Sequence, residues 1–154
     1  MMTPLSVNWA LCGVCLLALL ALPAVGAAEA ASEQRPELAI KGYDTVAYFR
    51  PGKATSGSGS FTFRWHDMTW RFSSQEHRDL FAANPEQYAP QYDGFCAWAM
   101  TESRLAITDP EAWKIVDGKL YLNCSQAAYQ KWSRDIPGHI RAADAIWKER
   151  FEAR

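Results

Sequence analysis

The chain has 154 residues, a formal net charge of −1 at neutral pH and charges of both signs interspersed along its length. No basic run or stripe is present, which argues against nucleic acid as a partner. Seven Trp, six Tyr and seven Phe supply large rings to bury, so a compact core is feasible without a metal or several disulfides.

The first segment is apolar. "WALCGVCLLALLALPAVGAAEA" (9–30) carries no charge before Glu29, is broken by Pro23 and ends in small residues. It reads as a secretory signal peptide over 1–27, cut near Ala27 or Ala30, although no Lys or Arg precedes it. The rival reading is an uncleaved membrane anchor. Its apolar run, Trp9 to Val25, is short of the ~20 residues a spanning helix needs. Export implies a periplasmic or secreted protein, and an oxidising compartment that permits disulfides. Cys12 and Cys15 form a C-x-x-C, but they lie inside the signal core and leave with it. The mature chain keeps Cys96 and Cys124.

Residues 28–37 are small, polar and charged, and read as a disordered lead-in. The domain is expected over 38–150. Asp44 is placed to cap a helical turn carrying Val46, Ala47, Tyr48 and Phe49. "RPGKATSGSGS" (50–60) reads as a Gly/Ser loop. Phe61, Phe63 and Trp65 then alternate with Thr62, Arg64 and His66. "HDM" turns the chain, and Trp70 and Phe72 alternate with Thr69 and Arg71, which predicts a hairpin. Ser73 with Glu76 predicts a capping box opening a helix that runs to Asn84. His77, Leu80, Phe81 and Asn84 share one face of it.

Residues 85–94 hold two prolines and read as turn, with one helical turn at Pro85. Residues 94–101 fit either a strand or a helix. Trp113–Val116 and Lys119–Asn123 flank "DG" (117–118), a short hairpin signal. Leu120, Leu122 and Cys124 are expected on one face of the second strand, and Lys119, Tyr121 and Asn123 on the other. Ser125 caps a further helix, and the last starts near Pro137 and passes through Ile140, Ala143, Ile146 and Trp147. Two hairpins and four helical segments predict a small α+β domain.

No G-x-S-x-G, H-E-x-x-H or phosphate-cradling glycine loop is present, so no enzyme is predicted. A Cys–His pair between Cys96 and His66, His77 or His139 is a weak signal in any chain with these residues. His77, on a face with Leu80 and Phe81, is either a metal ligand or a hydrogen-bonded core histidine. Cys96 and Met100 sit ~13 Å apart if the segment is a strand. On a helix they are neighbours at ~6 Å, and a thiolate–thioether pair suits Cu(I). A metal at this pair therefore requires a helix; otherwise Cys96 is a buried thiol and Met100 a core filler. A Cys96–Cys124 disulfide would close a loop of ~28 residues and stabilise by ~3.5 kcal/mol. Tyr43, Trp65, Tyr92 and Trp98 are candidates to line an apolar ligand pocket. The charges of the C-terminal helices (Lys131, Arg134, Arg141, Lys148, Glu149, Arg150) read as a solvated face.

Three ordered segments carry a family resemblance: "GYDTVAYF" (42–49), "FSSQEHRDLFAANPEQYAPQYDGFCAWA" (72–99) and "DPEAWKIVDGKLYLN" (109–123). Together they resemble exported bacterial YHS-domain proteins over about 38–147. Shorter YHS domains occur beside heavy-metal pumps and resemble treble-clef-like metal modules. Aligned by motif, Ala47, Ser73 and His77 fall on the thiol positions of those relatives. None of the thiols is kept, and only His77 could still ligate. Thr45 stands where the family usually has Pro, Asp93 where Gly is frequent, and Cys124 where an aromatic is usual. The resemblance implies a binding module and not an enzyme. The leading expectation is weak binding of copper or another transition metal through Cys96 with His77 or Met100. The alternative is a small-molecule or protein-partner binding domain, with Cys96 and Cys124 bonded or buried.

Overall fold

A computed structural model describes residues 37–151. The expected signal peptide at 1–27 and all of the lead-in except Glu37 lie outside the described residues. Among the described residues, no helix is long and apolar enough to cross a membrane.

The chain enters along the first hairpin: the Thr69 N–H donates to the Glu37 carbonyl at 2.8 Å, and Leu38 bridges Thr69. A 3-10 turn follows at Ala39–Gly42 and a second at Val46–Tyr48. Asp44 caps the second through Oδ1, which accepts from the N–H groups of Val46 at 2.9 Å and Ala47 at 3.3 Å. β1 (Ser58–Trp65) pairs antiparallel with β2 (Met68–Phe72), in the register Trp65↔Met68 and Phe63↔Trp70. His66 and Asp67, at φ 48° and 59°, make a two-residue turn with both central residues left-handed, which matches the twist of paired strands. Met68 is therefore the first residue of β2 and not part of the turn.

The Gly/Ser stretch is shorter as a loop than its composition suggests, because Ser58–Ser60 belong to β1. Gly57 has a packing role: a Cβ there would lie 2.5 Å from the Arg71 carbonyl carbon. Only a glycine lets the chain cross β2 this closely. Gly57→Ala is expected to cost about 1–3 kcal/mol through overpacking against a backbone that cannot yield. Gly59 has nothing within 4 Å of its notional Cβ, so Gly59→Ala serves as the control. Urea midpoints of the two variants check this, and equal midpoints would contradict it.

α1 (Gln75–Ala83) is capped by Ser74, whose side chain accepts from the His77 N–H. The expected cap, Ser73, is one residue early. Its N–H and Oγ both donate to Asp44 Oδ2, at 2.8 and 2.6 Å, and its Oγ lies 3.4 Å from His77 Nδ1, so it is held chiefly by another segment and does not cap its own helix. α2 (Pro85–Tyr88) and α3 (Ala97–Thr101) are single turns or little more. β3 (Asp109–Val116) and β4 (Lys119–Asn123) form the second hairpin, with Asp117 and Gly118 left-handed at φ 50° and 75°. Ser125 caps α4 (Gln126–Trp132), and Asp135 caps α5 (Ile136–Arg150) by accepting from the Gly138 N–H at 3.0 Å.

The fold is a small α+β domain built on two separate antiparallel hairpins. β4 lies between two apolar clusters, and its alternation serves both. Leu120 and Leu122 enter the first, with Trp70, Phe72 and Phe81. Tyr121 enters the second, with Met100, Trp132 and Ala143. Leu120 to Asn123 are all buried, so the strand reads apolar on consecutive residues rather than on every second one.

Candidate functional site

The segment that the sequence left open is a helix preceded by a tight backbone reversal. Tyr92 and Asp93 are left-handed at φ 59° and 53°, Gly94 follows at φ 82°, and Phe95 is extended. Cys96, at φ −60° and ψ 117°, is the N-cap of α3. Its Sγ accepts from the Ala99 N–H at 3.4 Å. Cysteine is not among the residues favoured at this position, so no capping signal in the sequence marks the helix start.

The end of β4 completes the site. Asn123 is fully buried, and its Oδ1 accepts from the Trp98 N–H at 3.1 Å. The first turn of α3 is thus capped twice, by its own cysteine and by an asparagine from another element. The Cys96 thiol points to Asn123 Oδ1 at 3.9 Å, and the Cys124 N–H donates to Cys96 Sγ at 3.1 Å. Asn123 Nδ2 is buried with no hydrogen-bond partner among the described residues, a condition that costs about 1–3 kcal/mol. Cys96 is fully buried, whereas Cys124 is exposed, and both are free thiols. The expected inward position of Cys124 is corrected here: it lies past the last residue of β4, where strand alternation no longer applies.

Burial pushes the Cys96 thiol up from its ordinary 9.0 to about 11. The Ala99 N–H opposes this, the Cys124 side chain adds to it and the Cys124 N–H again opposes it. Because the folded thiol holds its proton more tightly than the unfolded one, its stabilising contribution is complete below pH 9 and is lost as pH rises towards 11. The reduced protein is therefore expected to lose stability over that window more steeply than Cys96→Ser. The difference between the two is the measurement, since Tyr121, Tyr48 and Tyr92 are also raised by burial and affect both proteins alike. Parallel profiles would contradict the assignment.

The other sequence candidates lie elsewhere. Met100 is four residues on and fully buried, but it packs with Tyr121, Trp132 and Ala143, while Cys96 packs with Ala99, Ala128, Trp98 and Ala106. The extended backbone of Cys96 takes its side chain off the helical face that i, i+4 spacing assumes. His77 belongs to the other half of the fold. Its Nδ1 donates to Asp44 Oδ2 at 2.6 Å, and its side chain is 15% exposed. His66 stacks on Trp65 and meets Asp93 Oδ1 at 3.1 Å. His139 Nδ1 donates to the Trp132 carbonyl at 2.7 Å. The structure does not bring Cys96, His77 and Met100 together. It joins Cys96 to Asn123 and Cys124.

Tyr43 and Trp65 pack against the first cluster, and Tyr92 and Trp98 belong with the second, so these four rings do not line one pocket. A groove of about 260 Å³ instead lies between Tyr92, Lys119, Asp144, Trp147 and Lys148. Within its lining, the Tyr92 hydroxyl donates to Asp144 Oδ1 at 2.8 Å.

Sequence reasoning missed two residues. Asn123 was expected on the Lys119 face of β4 with no role. The sequence suggests Asp44 only as a local cap, while its second oxygen joins the 46–48 turn to the start of α1. One cue was available for Asn123: a polar residue closing the apolar run Leu120–Leu122 needs a buried partner.

Among the described residues, no group of three or more His, Cys, Asp and Glu is arranged to hold a metal ion. The donor set at the site is two sulfurs, and that chemistry fits a soft ion of low coordination number and not a hard, oxygen-seeking one. Comparisons with protein-family models, curated proteins and solved structures find no match to this chain.

Proposed function

We propose that this chain is an exported, YHS-type binding module whose ligand is a soft transition-metal ion of the copper(I) class, held by Cys96 and Cys124. The observation that carries this is the 3.1 Å contact from the Cys124 N–H to Cys96 Sγ, which brings the two cysteines side by side. With the Ala99 N–H, it also directs two backbone donors at the sulfur that must become a thiolate. Two backbone angles support the YHS resemblance. Thr45, where the family has Pro, sits at φ −66°, within the range proline imposes. Asp93, where Gly is frequent, sits at φ 53°, in the region that favours glycine.

Binding requires both thiols to lose their protons. Cys96 gives up its proton reluctantly, so affinity is weak and rises with pH. Copper(I) titration of the reduced protein against a chromogenic chelator tests the reading. One ion per chain is expected, with loss of binding in Cys96→Ser and in Cys124→Ser and retention in His77→Gln and Met100→Leu. Full uptake by Cys96→Ser would sink the proposal.

A second reading, a small-molecule site, is favoured by the groove beside Trp147, where two lysines flank an aromatic wall. Tryptophan fluorescence of metal-free protein would respond to an aromatic anion under this reading and stay constant under the first.

A further inference from the structure

The two sulfurs differ in access, and that difference implies a chemistry beyond metal binding. We infer that the pair carries out thiol–disulfide exchange with an external organic disulfide, with Cys124 as the entering thiol and Cys96 as the resolving thiol. This inference does not depend on the metal reading, although both use the same atoms.

Cys124 is exposed and Cys96 is fully buried, so an incoming disulfide reaches only the former. The second step needs the sulfurs to meet. The Cys124 nitrogen lies 3.1 Å from Cys96 Sγ, and its Cα, one ~1.46 Å bond further on, is within about 4.6 Å of that sulfur. Rotation of the exposed Cys124 side chain can then carry its sulfur towards Cys96 Sγ. The N–H groups of Ala99 and Cys124 point at the Cys96 sulfur and hold it in place beside the Cys124 backbone.

The steps balance as follows. The Cys124 thiolate attacks one sulfur of RS–SR. A Cys124–SR bond forms, the RS–SR bond breaks, and RS⁻ leaves and takes up the proton Cys124 had released. The Cys96 thiolate then attacks the Cys124 sulfur. The Cys96–Cys124 bond forms, the mixed disulfide breaks, and a second RS⁻ leaves and takes up the proton of Cys96. Two electrons pass from the protein to RSSR, giving one protein disulfide and two RSH. The closed bridge joins the exit of β4 to the start of α3 and occupies both donors of the proposed metal site. Burial of Cys96, which makes it a poor leaving group, keeps the bridge closed against mild reductants.

The test is a time course of reduced protein with oxidised glutathione and a metal chelator, quenched with acid and followed by intact mass and peptide mapping. Wild type is expected to gain one glutathione at Cys124, then lose it together with both free thiols. Cys96→Ser is expected to stop at a stable Cys124 adduct, and Cys124→Ser to stay unmodified while folded. Serine is a good N-cap, so Cys96→Ser keeps the start of α3, and the wild-type course decides the matter even if the variant does not fold. An adduct mapped to Cys96, or a wild-type Cys124 adduct that never resolves, would overturn the inference. With the chelator present, failure here leaves the copper titration standing, and failure of that titration leaves this test intact.

Discussion

Asp44→Ala is expected to destabilise the protein by about 3–5 kcal/mol, the cost of removing one partner from a buried charged network. Asp44 is fully buried. Oδ1 accepts from the N–H groups of Val46 and Ala47, and Oδ2 from the Ser73 N–H, the Ser73 Oγ and His77 Nδ1, the last two at 2.6 Å. Alanine leaves all five donors without this acceptor, and Val46 and Ala47 are themselves fully buried. The loss should centre on the junction between the 46–48 turn and α1. Urea unfolding measures the total, and amide exchange at Val46, Ala47 and Ser73 locates it. A cost under about 1 kcal/mol, the scale of a single ordinary hydrogen bond, would mean that Asp44 is a local cap and not a junction.

Phe81→Ala is expected to cost a similar amount, about 3–5 kcal/mol, by leaving a cavity where the surrounding rings cannot collapse. Phe81 is fully buried, with ring centroids of Trp70, Phe72, Trp65 and Phe63 at 5.0, 5.1, 5.8 and 6.0 Å. Those rings come from both strands of the first hairpin, so α1 is attached to the hairpin chiefly through this side chain. A domain of this size is stable by about 5–15 kcal/mol in total, and either substitution removes a large part of that. Cys124→Ser provides the contrast. Cys124 is exposed, and its 3.1 Å contact to Cys96 Sγ comes from its backbone N–H, which serine keeps, so the reduced variant should stay within about 0.5 kcal/mol of wild type. Chemical unfolding of the three variants under reducing conditions checks the ranking. A Cys124→Ser loss as large as that of Phe81→Ala would show that the thiol pair holds the fold together.

The two halves of the molecule therefore divide their tasks. Asp44 and Phe81 secure the first hairpin and α1. The thiols sit beyond β4, at the start of α3, with Cys124 exposed and Cys96 fully buried. Chemistry at Cys124 can accordingly be tested by substitution without unfolding the protein.

Much of this architecture is legible in the sequence alone. Alternation of Phe61, Phe63 and Trp65 with Thr62 and Arg64 gives the first hairpin, and Asp117-Gly118 gives the turn of the second. Ser125 and Asp44 act as the caps their positions suggest, and the α+β class follows from these pieces. All of these signals act over a few residues: a backbone preference, a side-chain period, a cap three positions from its donor. The assignments that shifted depend on contacts between distant segments. Ser73 leaves its helix because Asp44, 29 residues earlier, takes both of its donors. Cys96 starts a helix because Asn123, from another strand, caps the turn beside it. Cys124 turns outward because β4 ends one residue before it. Composition and local pattern reach as far as the elements and their order; which sulfur, carboxylate or amide meets which is set when β4 packs between two cores, since no local preference links residues 28 positions apart.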